Sequence, residues 1–523
     1  MHKWIGLLFL SAGIAASEQN SVPSAAAESP TFRAGTKLVE VDVVARSKGA
    51  PATGLTKDDF TLLDNGKPQK IAFFSVRSPN TSASSVAATP LPPGTFSNRA
   101  AREGGSSGST TVVLVDQLNT PQVVQLDAIP RIAKFIEMRR LNDRIGIYTL
   151  QSGGSLQVMQ ELTDDGDLLN KAAKSLRGRD PNRRSSDTTG MSQHAAEAHE
   201  AITLIERGMD TKHALQTIAR HLANVPGRKT LVWLTTAFPP VVQGLGIDFR
   251  PDLQEAARSL NDANTALYAV DPRGLVGALS GTTGIGNAET PVHGSPRQIV
   301  AQMGRGGESQ APNGFDTMNM LASLTGGRVF KNDNGIGELI QEAVDDGGFT
   351  YTLGFYPQEE QDGAWHRLKV EVARHGVSMR YRENYFAARA IDETKARPEL
   401  GQLLRDPLDS TQLELVAETA PDPERPGVLR IKVTVDLHNI ELRHENAIHS
   451  GGVDLSFYVR ETGKAMTRTF KIEIPDAQFD AYLKKGLSAV QLIDITGTVQ
   501  AVRVVAQDRT TGAAGSVTIP VRK

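Results

Sequence analysis

Asp116 closes an uncharged, β-branched run over residues 110–115, and Asn119 and Thr120 follow it in a polar turn. A carboxylate with a hydroxyl four residues later offers the hard oxygen ligands that a divalent cation takes. In an open α/β sheet, the turn beyond the carboxyl end of a strand is where ligands are held. Two further strand ends add oxygen. Thr235 and Thr236 follow the apolar run 231–234, and Asp271 follows the run 265–270. Mg²⁺ keeps several waters and needs only one or two carboxylates, so this set can serve it. Each aspartate also has a purely structural reading: Asp116 as the cap of a helix starting near Pro121, and Asp271 as a turn residue before Pro272.

Other chemistry is weaker. His194 and His199 flank Glu197 in a helical stretch, but they stand five residues apart rather than four. At 3.6 residues per turn they point about 140° from each other, which suits a solvated helix better than a zinc-protease face. The glycines at 281–284 and 304–307 lack the lysine of a phosphate loop, and no Gly-x-Ser-x-Gly elbow occurs. Arg177, Arg179, Arg183 and Arg184 fall in a loop and read as a solvated insertion. The chain has no cysteine, which excludes disulfides, thiolate metal sites and cysteine nucleophiles. Its net charge of −2 gives no global attraction to nucleic acid or anionic lipid.

The elements that position these residues fall into three parts. Residues 1–17 read as a secretory signal peptide: Lys3, an apolar stretch over 5–16 too short to span a bilayer, then Ala15, Ala16 and Ser17. A Ser/Ala/Pro linker over 18–35 follows. Val39, Val41 and Val43 alternate with Glu40 and Asp42, and Asp64-Asn-Gly-Lys marks a hairpin, so 36–78 reads as a small β module. A second linker spans 79–109. From 110 to 390 strands alternate with helices, which predicts a mostly parallel, doubly wound α/β sheet. The run 349–356 is its expected last strand. Two long insertions interrupt it, 177–193 and 276–314. Residues 411–523 return to alternation and predict an antiparallel β-sandwich.

Four stretches together resemble a known family: Gly54-Leu-Thr-Lys-Asp-Asp-Phe, Val225-Pro-Gly-Arg-Lys-Thr-Leu-Val-Trp-Leu, Leu267-Tyr-Ala-Val-Asp-Pro-Arg-Gly-Leu and Tyr351-Thr-Leu-Gly-Phe-Tyr-Pro. The chain resembles von Willebrand factor type A domain proteins, and more narrowly the acidobacterial VWFA-related domain family. The resemblance implies a Rossmann-type fold and a metal-ion-dependent adhesion site of the pattern Asp-x-Ser-x-Ser. On that pattern Asp116 matches the aspartate, Leu118 replaces the first serine, and Thr120 replaces the second. Thr236 stands where the family carries a second aspartate. Thr188, Thr189 and Thr211 are open alternatives for the remaining threonine.

The expectation is therefore an exported, periplasmic or secreted, non-enzymatic protein that binds a protein partner. Asp116, Thr120, Thr236 and Asp271 are the candidate ligands for Mg²⁺, Mn²⁺ or Ca²⁺. Asn119 and Thr235 complete the binding rim. A structural envelope component with an inactive metal site and an exported hydrolase are the alternatives. No nucleic-acid partner and no integral membrane segment after leader cleavage are expected.

Overall fold

The computed structural model describes residues 38–78, 91–99, 109–151, 153–180, 192–238, 240–242, 246–273, 314–331, 333, 335–357, 363–387, 400–495, 497 and 499–521. The leader and first linker, Thr188, Thr189 and nearly all of the 276–314 insertion lie outside them.

The N-terminal strands are β1 (Val39–Ser47), β2 (Phe60–Asp64) and β3 (Phe73–Arg77). Val41 and Val43 of β1 are fully buried. Asp42 between them is also buried, and its carboxylate accepts from Asn264 Nδ2 at 2.8 Å. Asp42 is thus covered by another part of the chain rather than by water, while Glu40 on the same face stays exposed.

The next stretch contains β4 (Thr110–Asp116), α1 (Gln122–Met138), β5 (Arg144–Leu150), β6 (Leu156–Thr163), α2 (Gly166–Ser175) and α3 (Gln193–Leu222). It continues with β7 (Lys229–Leu234), α4 (Arg250–Asp262), β8 (Thr265–Val270), α5 (Gly314–Thr325), β9 (Val329–Phe330) and α6 (Ile336–Gly348). The six strands form one sheet in the order β9-β8-β7-β4-β5-β6, with β6 antiparallel at the edge. One core packs Leu114 and Trp233 against Leu215, Leu253 and Leu321. The other packs Val113 and Val232 against Ile132, Phe135 and Ile340.

The expected class, a doubly wound, mostly parallel Rossmann-type α/β fold with small flanking modules, needs correction. Strand exceeds helix, at 40% against 28%, so the chain is β-rich. Among the described residues five of the six sheets are antiparallel throughout, and parallel pairing is confined to four neighbouring pairs of one sheet. The clearest failure is the run expected to close the parallel sheet. β10 (Thr350–Phe355) instead inserts antiparallel between β1 and β3. β11 (Trp365–Val372) pairs with β2, and β12 (Val377–Arg380) with β1. Tyr351, Leu353 and Phe355 join Val41, Val43 and Leu62 in a single core. The β module is therefore built from both ends of the 38–387 stretch.

The seam between this module and the amino ends of the sheet strands buries charge. Arg228 donates to Gly326 O at 2.7 Å, and Lys229 Nζ to Val225 O at 2.8 Å. Burial pushes the Lys229 ammonium down to about 7, helped by Arg77 and opposed by Asp42 and Glu40. Between that value and the unfolded value near 10.5, the unfolded chain binds the extra proton, so stability rises with pH. The slope approaches about 1.4 kcal/mol per pH unit within this window. Lys229→Met is expected to flatten that rise. Denaturant melts at pH 7 and pH 10 check it, and an unchanged slope would refute the assignment.

The C-terminal strands are β13 (Leu415–Pro421), β14 (Val428–Val435), β15 (Arg443–Glu445), β16 (Ile448–Val459) and β17 (Lys464–Pro475). After α7 (Asp476–Lys485) come β18 (Leu487–Asp494), β19 (Ala501–Asp508) and β20 (Ala514–Pro520). β13, β14 and β18 form one antiparallel sheet, and β15, β16, β17, β19 and β20 the other. Between them lie Leu415, Ile431, Leu455, Phe457 and Val504. Part of the expected 79–109 linker belongs here: Thr95–Ser97 adds a strand to β13. Asn98 Nδ2 donates to Ser410 O and Leu413 O, locking that edge.

Residues 400–411 fasten this sandwich to α3. Asp406 accepts from Arg220 Nη2 and pairs with His213 Nε2 at 2.8 Å. Buried Arg503 donates to Leu403 O, Leu408 O and the Asp409 carboxylate.

Candidate functional site at the carboxyl-end rim

β4, β7 and β8 end side by side, in the register Leu114–Trp233–Ala269. This places Asp116, Thr235, Thr236 and Asp271 at one edge of the sheet. Asp116 is fully buried and its carboxylate is crowded with donors. Oδ1 accepts from Leu118 N at 3.1 Å and Asn119 N at 2.9 Å. Oδ2 accepts from Asn119 Nδ2 at 2.8 Å, Thr235 Oγ1 at 2.8 Å and Trp233 Nε1 at 3.1 Å. Burial pushes the carboxyl above its ordinary range, and the bonds from Asn119, Thr235 and Trp233 oppose that shift. The helix expected to be capped by Asp116 begins after Pro121 without a side-chain cap. Asp116 instead ties its own turn to the end of β7.

The other expected rim residues join the same network. Thr120 Oγ1 accepts from Thr236 N at 3.3 Å, and Thr236 Oγ1 donates to Asn119 O at 2.6 Å. Of the three candidate threonines, Thr211 lies here: its Oγ1 accepts from Asn119 Nδ2 at 3.0 Å and donates to Arg207 O. Leu118 turns inward and packs in the core. Asp271 stands apart from this group in its bonding. Arg273 holds it through Nε and Nη2 at 2.9 Å each, and the Arg273 backbone N–H adds a third bond.

The donor set does not fit a divalent ion. A carboxylate has about four lone-pair sites, and five N–H and O–H groups already address those of Asp116. The Thr236 hydroxyl gives its proton to a backbone carbonyl and keeps its lone pairs, Asn119 Oδ1 is buried without a partner, and Asp271, the second carboxylate, is taken up by a guanidinium. Positive charge near Asp116 comes from Arg207, whose charged form burial disfavours and Asp116 and Asp180 favour.

Sequence reasoning missed three members of this rim. Trp233 reads as a core residue, and it is one, yet its indole N–H supplies a bond to Asp116. Gln125 and Gln117 are also buried. Gln125 Nε2 donates to Thr120 O and Arg179 O, its Oε1 accepts from Arg179 N, and Gln117 Nε2 donates to Arg177 O. They dock the start of the 177–193 insertion against the rim. The available signal was a glutamine on the apolar face of α1, one position before the exposed Leu126.

α3 extends the rim. It runs for 30 residues, about 45 Å. Thr211 meets the rim, and Leu215, Ile218 and Leu222 beyond it are core residues. Among the described side chains of 193–210, none is a member of that core. Gly208 comes close to it, since a Cβ there would lie 2.3 Å from the Phe249 ring. Ile202, Ile205 and Met209 lie on one face of this stretch and are 54%, 44% and 45% exposed. Beside α3 a cleft of about 750 Å³ is lined by Ser155, Lys212, His213, Glu255, Arg405 and Asp406. Its His213–Asp406 pair is committed to the interdomain fastening described above, and His213 Nδ1 is buried.

No family model and no curated protein matches the chain. Solved structures similar to it include the conserved hypothetical protein BatB from Bacteroides thetaiotaomicron, at 15% identity and TM-score 0.26, over 46% of this chain and 100% of that one. The VWA domain of SpRpn10 matches at 15% identity and TM-score 0.18, over 35% and 100%. An uncharacterized membrane spanning protein from Vibrio fischeri matches at 17% identity and TM-score 0.12, over 45% and 96%. These likenesses include a VWA domain but assign no family, and at such scores they carry no argument about function.

Proposed function

We propose that this chain is a non-enzymatic protein-binding protein that works through its carboxyl-end rim without a divalent ion. The observation that carries the reading is the exposed apolar face Ile202, Ile205 and Met209 on the stretch of α3 that precedes Thr211 and extends the rim. Apolar side chains grouped on one face mark interaction surfaces more often than scattered ones do. The Asp116 network serves to hold that helix in place through Asn119 and Thr211. Rigid support of a contact face lowers the ordering cost of binding. Export belongs to the same reading, and its support is the leader-like stretch after Lys3. Among the described residues no helix is long and apolar enough to cross a membrane.

A photo-crosslinking side chain at position 205, used in cells that make the protein, tests this. A discrete adduct is expected at 205 and not at Leu141, which is 82% exposed beside the amino end of β5. The adduct should survive a chelator and disappear with Ile202→Asp and Met209→Asp together. Equal labelling at 205 and 141, or loss of the adduct with chelator, would overturn the reading.

A further inference from the structure

We infer that His444, His449 and Asp476 form a binding site for a borderline first-row divalent cation of the zinc class. It lies in the C-terminal sandwich and is independent of the rim. His444 and His449 face each other across the β15–β16 hairpin. Each Nε2 approaches the same Asp476 oxygen, at 2.9 and 3.0 Å, and the three ligand atoms lie within 4.8 Å of one another. Two imidazoles and one carboxylate are the ligand types that zinc and its neighbours prefer, whereas Mg²⁺ and Ca²⁺ prefer oxygen alone.

The surroundings hold the three in register. The hairpin turn is Asn446-Ala447, both with positive φ, at 51° and 62°. Such a two-residue turn normally uses glycine, so Ala447 is held in a conformation its side chain resists. Ala447 O in turn accepts from Asp476 N at 3.0 Å, which pins the start of α7 to the turn. One helical turn on, Phe479 stacks flat on the His449 ring, with centroids 3.7 Å apart and planes 7° apart. The other neighbour of His449 is the His444 ring, at 4.4 Å. Asp476 and Phe479 thus orient His449 from the same face of α7.

His444 and Asp476 are each half exposed, so an ion can enter and water can complete its coordination. Without metal, His444 donates its Nε2 proton to the carboxylate, and His449 Nε2 lies 3.0 Å from the same oxygen. On binding, the neutral rings carry their proton on Nδ1 instead, and both Nε2 lone pairs and the Asp476 oxygen turn to the ion.

The test is titration of the untagged, metal-stripped full chain with zinc chloride by calorimetry, repeated with cobalt(II) followed by its visible absorption. One equivalent of zinc is expected, with a cobalt band that saturates at the same stoichiometry. Removing an outer-shell partner of a metal ligand already costs about 10–100-fold in affinity, and losing a ligand costs no less. His444→Ala and His449→Ala should therefore each weaken binding at least about tenfold. His438→Ala, at an exposed histidine paired with Asp436, should leave it unchanged. His444 is exposed, so its variant also guards against misfolding. Absence of stoichiometric binding in the native chain, or binding that both histidine variants retain, would overturn the proposal.

Discussion

Asp116→Ala is expected to destabilise the protein by about 3–5 kcal/mol, because it strands buried donors that each cost roughly 1–3 kcal/mol when unsatisfied. Leu118 N, Asn119 N, Asn119 Nδ2, Trp233 Nε1 and Thr235 Oγ1 all lose their acceptor. The costs do not add fully, since the residues share one network. Asp116→Asn should be nearly as harmful, because an amide NH₂ would face donors at Oδ2. Denaturant melts followed by tryptophan fluorescence check this, with Trp233 reporting from the site. A carboxylate reserved for a cation behaves differently: its removal in metal-free buffer costs little. A loss below about 1 kcal/mol would argue for that role.

Asp346→Ala is the second large effect. Asp346 sits on α6 with no exposed side chain, and it joins three parts of the fold. Arg46 of β1 reaches it at 2.7 Å, Arg380 of β12 at 2.9 Å, and Tyr268 of β8 donates its hydroxyl at 3.0 Å. Burial raises that phenol to about 12, so it remains a donor at any working pH. Breaking a buried ion pair from one side costs about 3–5 kcal/mol, most of it from the uncompensated charge left behind. Here two guanidinium groups are left, and they belong to the β module. The expected result is a module that loosens first, seen as proteolytic cuts within 38–78 and 363–387 at temperatures where the native chain resists. Replacing Arg46 and Arg380 by Met together with Asp346→Leu should recover much of the loss, because apolar replacement of a whole buried cluster is often near neutral.

The local strands were legible where one chemistry dominated. β4, β5, β7 and β8 are apolar-rich runs, charged only at their ends and bounded by turn residues, and they lie where their sequences place them. Partnership was not legible. β10 is buried on both faces, like a central parallel strand, and its burial gives no sign that β1, some 300 residues earlier, is its partner. The same holds for Thr95–Ser97, whose polar surroundings read as linker although Asn98 anchors it to the sandwich. At the rim, the residue types were found but not their use. Oxygen atoms on three strand ends suit a cation until the donors around them are counted. Those donors include the Trp233 indole and the backbone of the Asp116 turn, and no spacing rule reveals them.

The measurement that bears most directly on the rim is the thermal midpoint of the full chain with and without millimolar Mg²⁺, beside Asp116→Ala in the same buffers. An ion bound only by the folded state must raise the midpoint. A rim whose Asp116 carboxylate is filled by donors predicts no shift with Mg²⁺ in the native chain and a midpoint well below it in the variant under both conditions. A rise with Mg²⁺ that vanishes in Asp116→Ala would contradict it, and would make Asp116 a ligand rather than a hub.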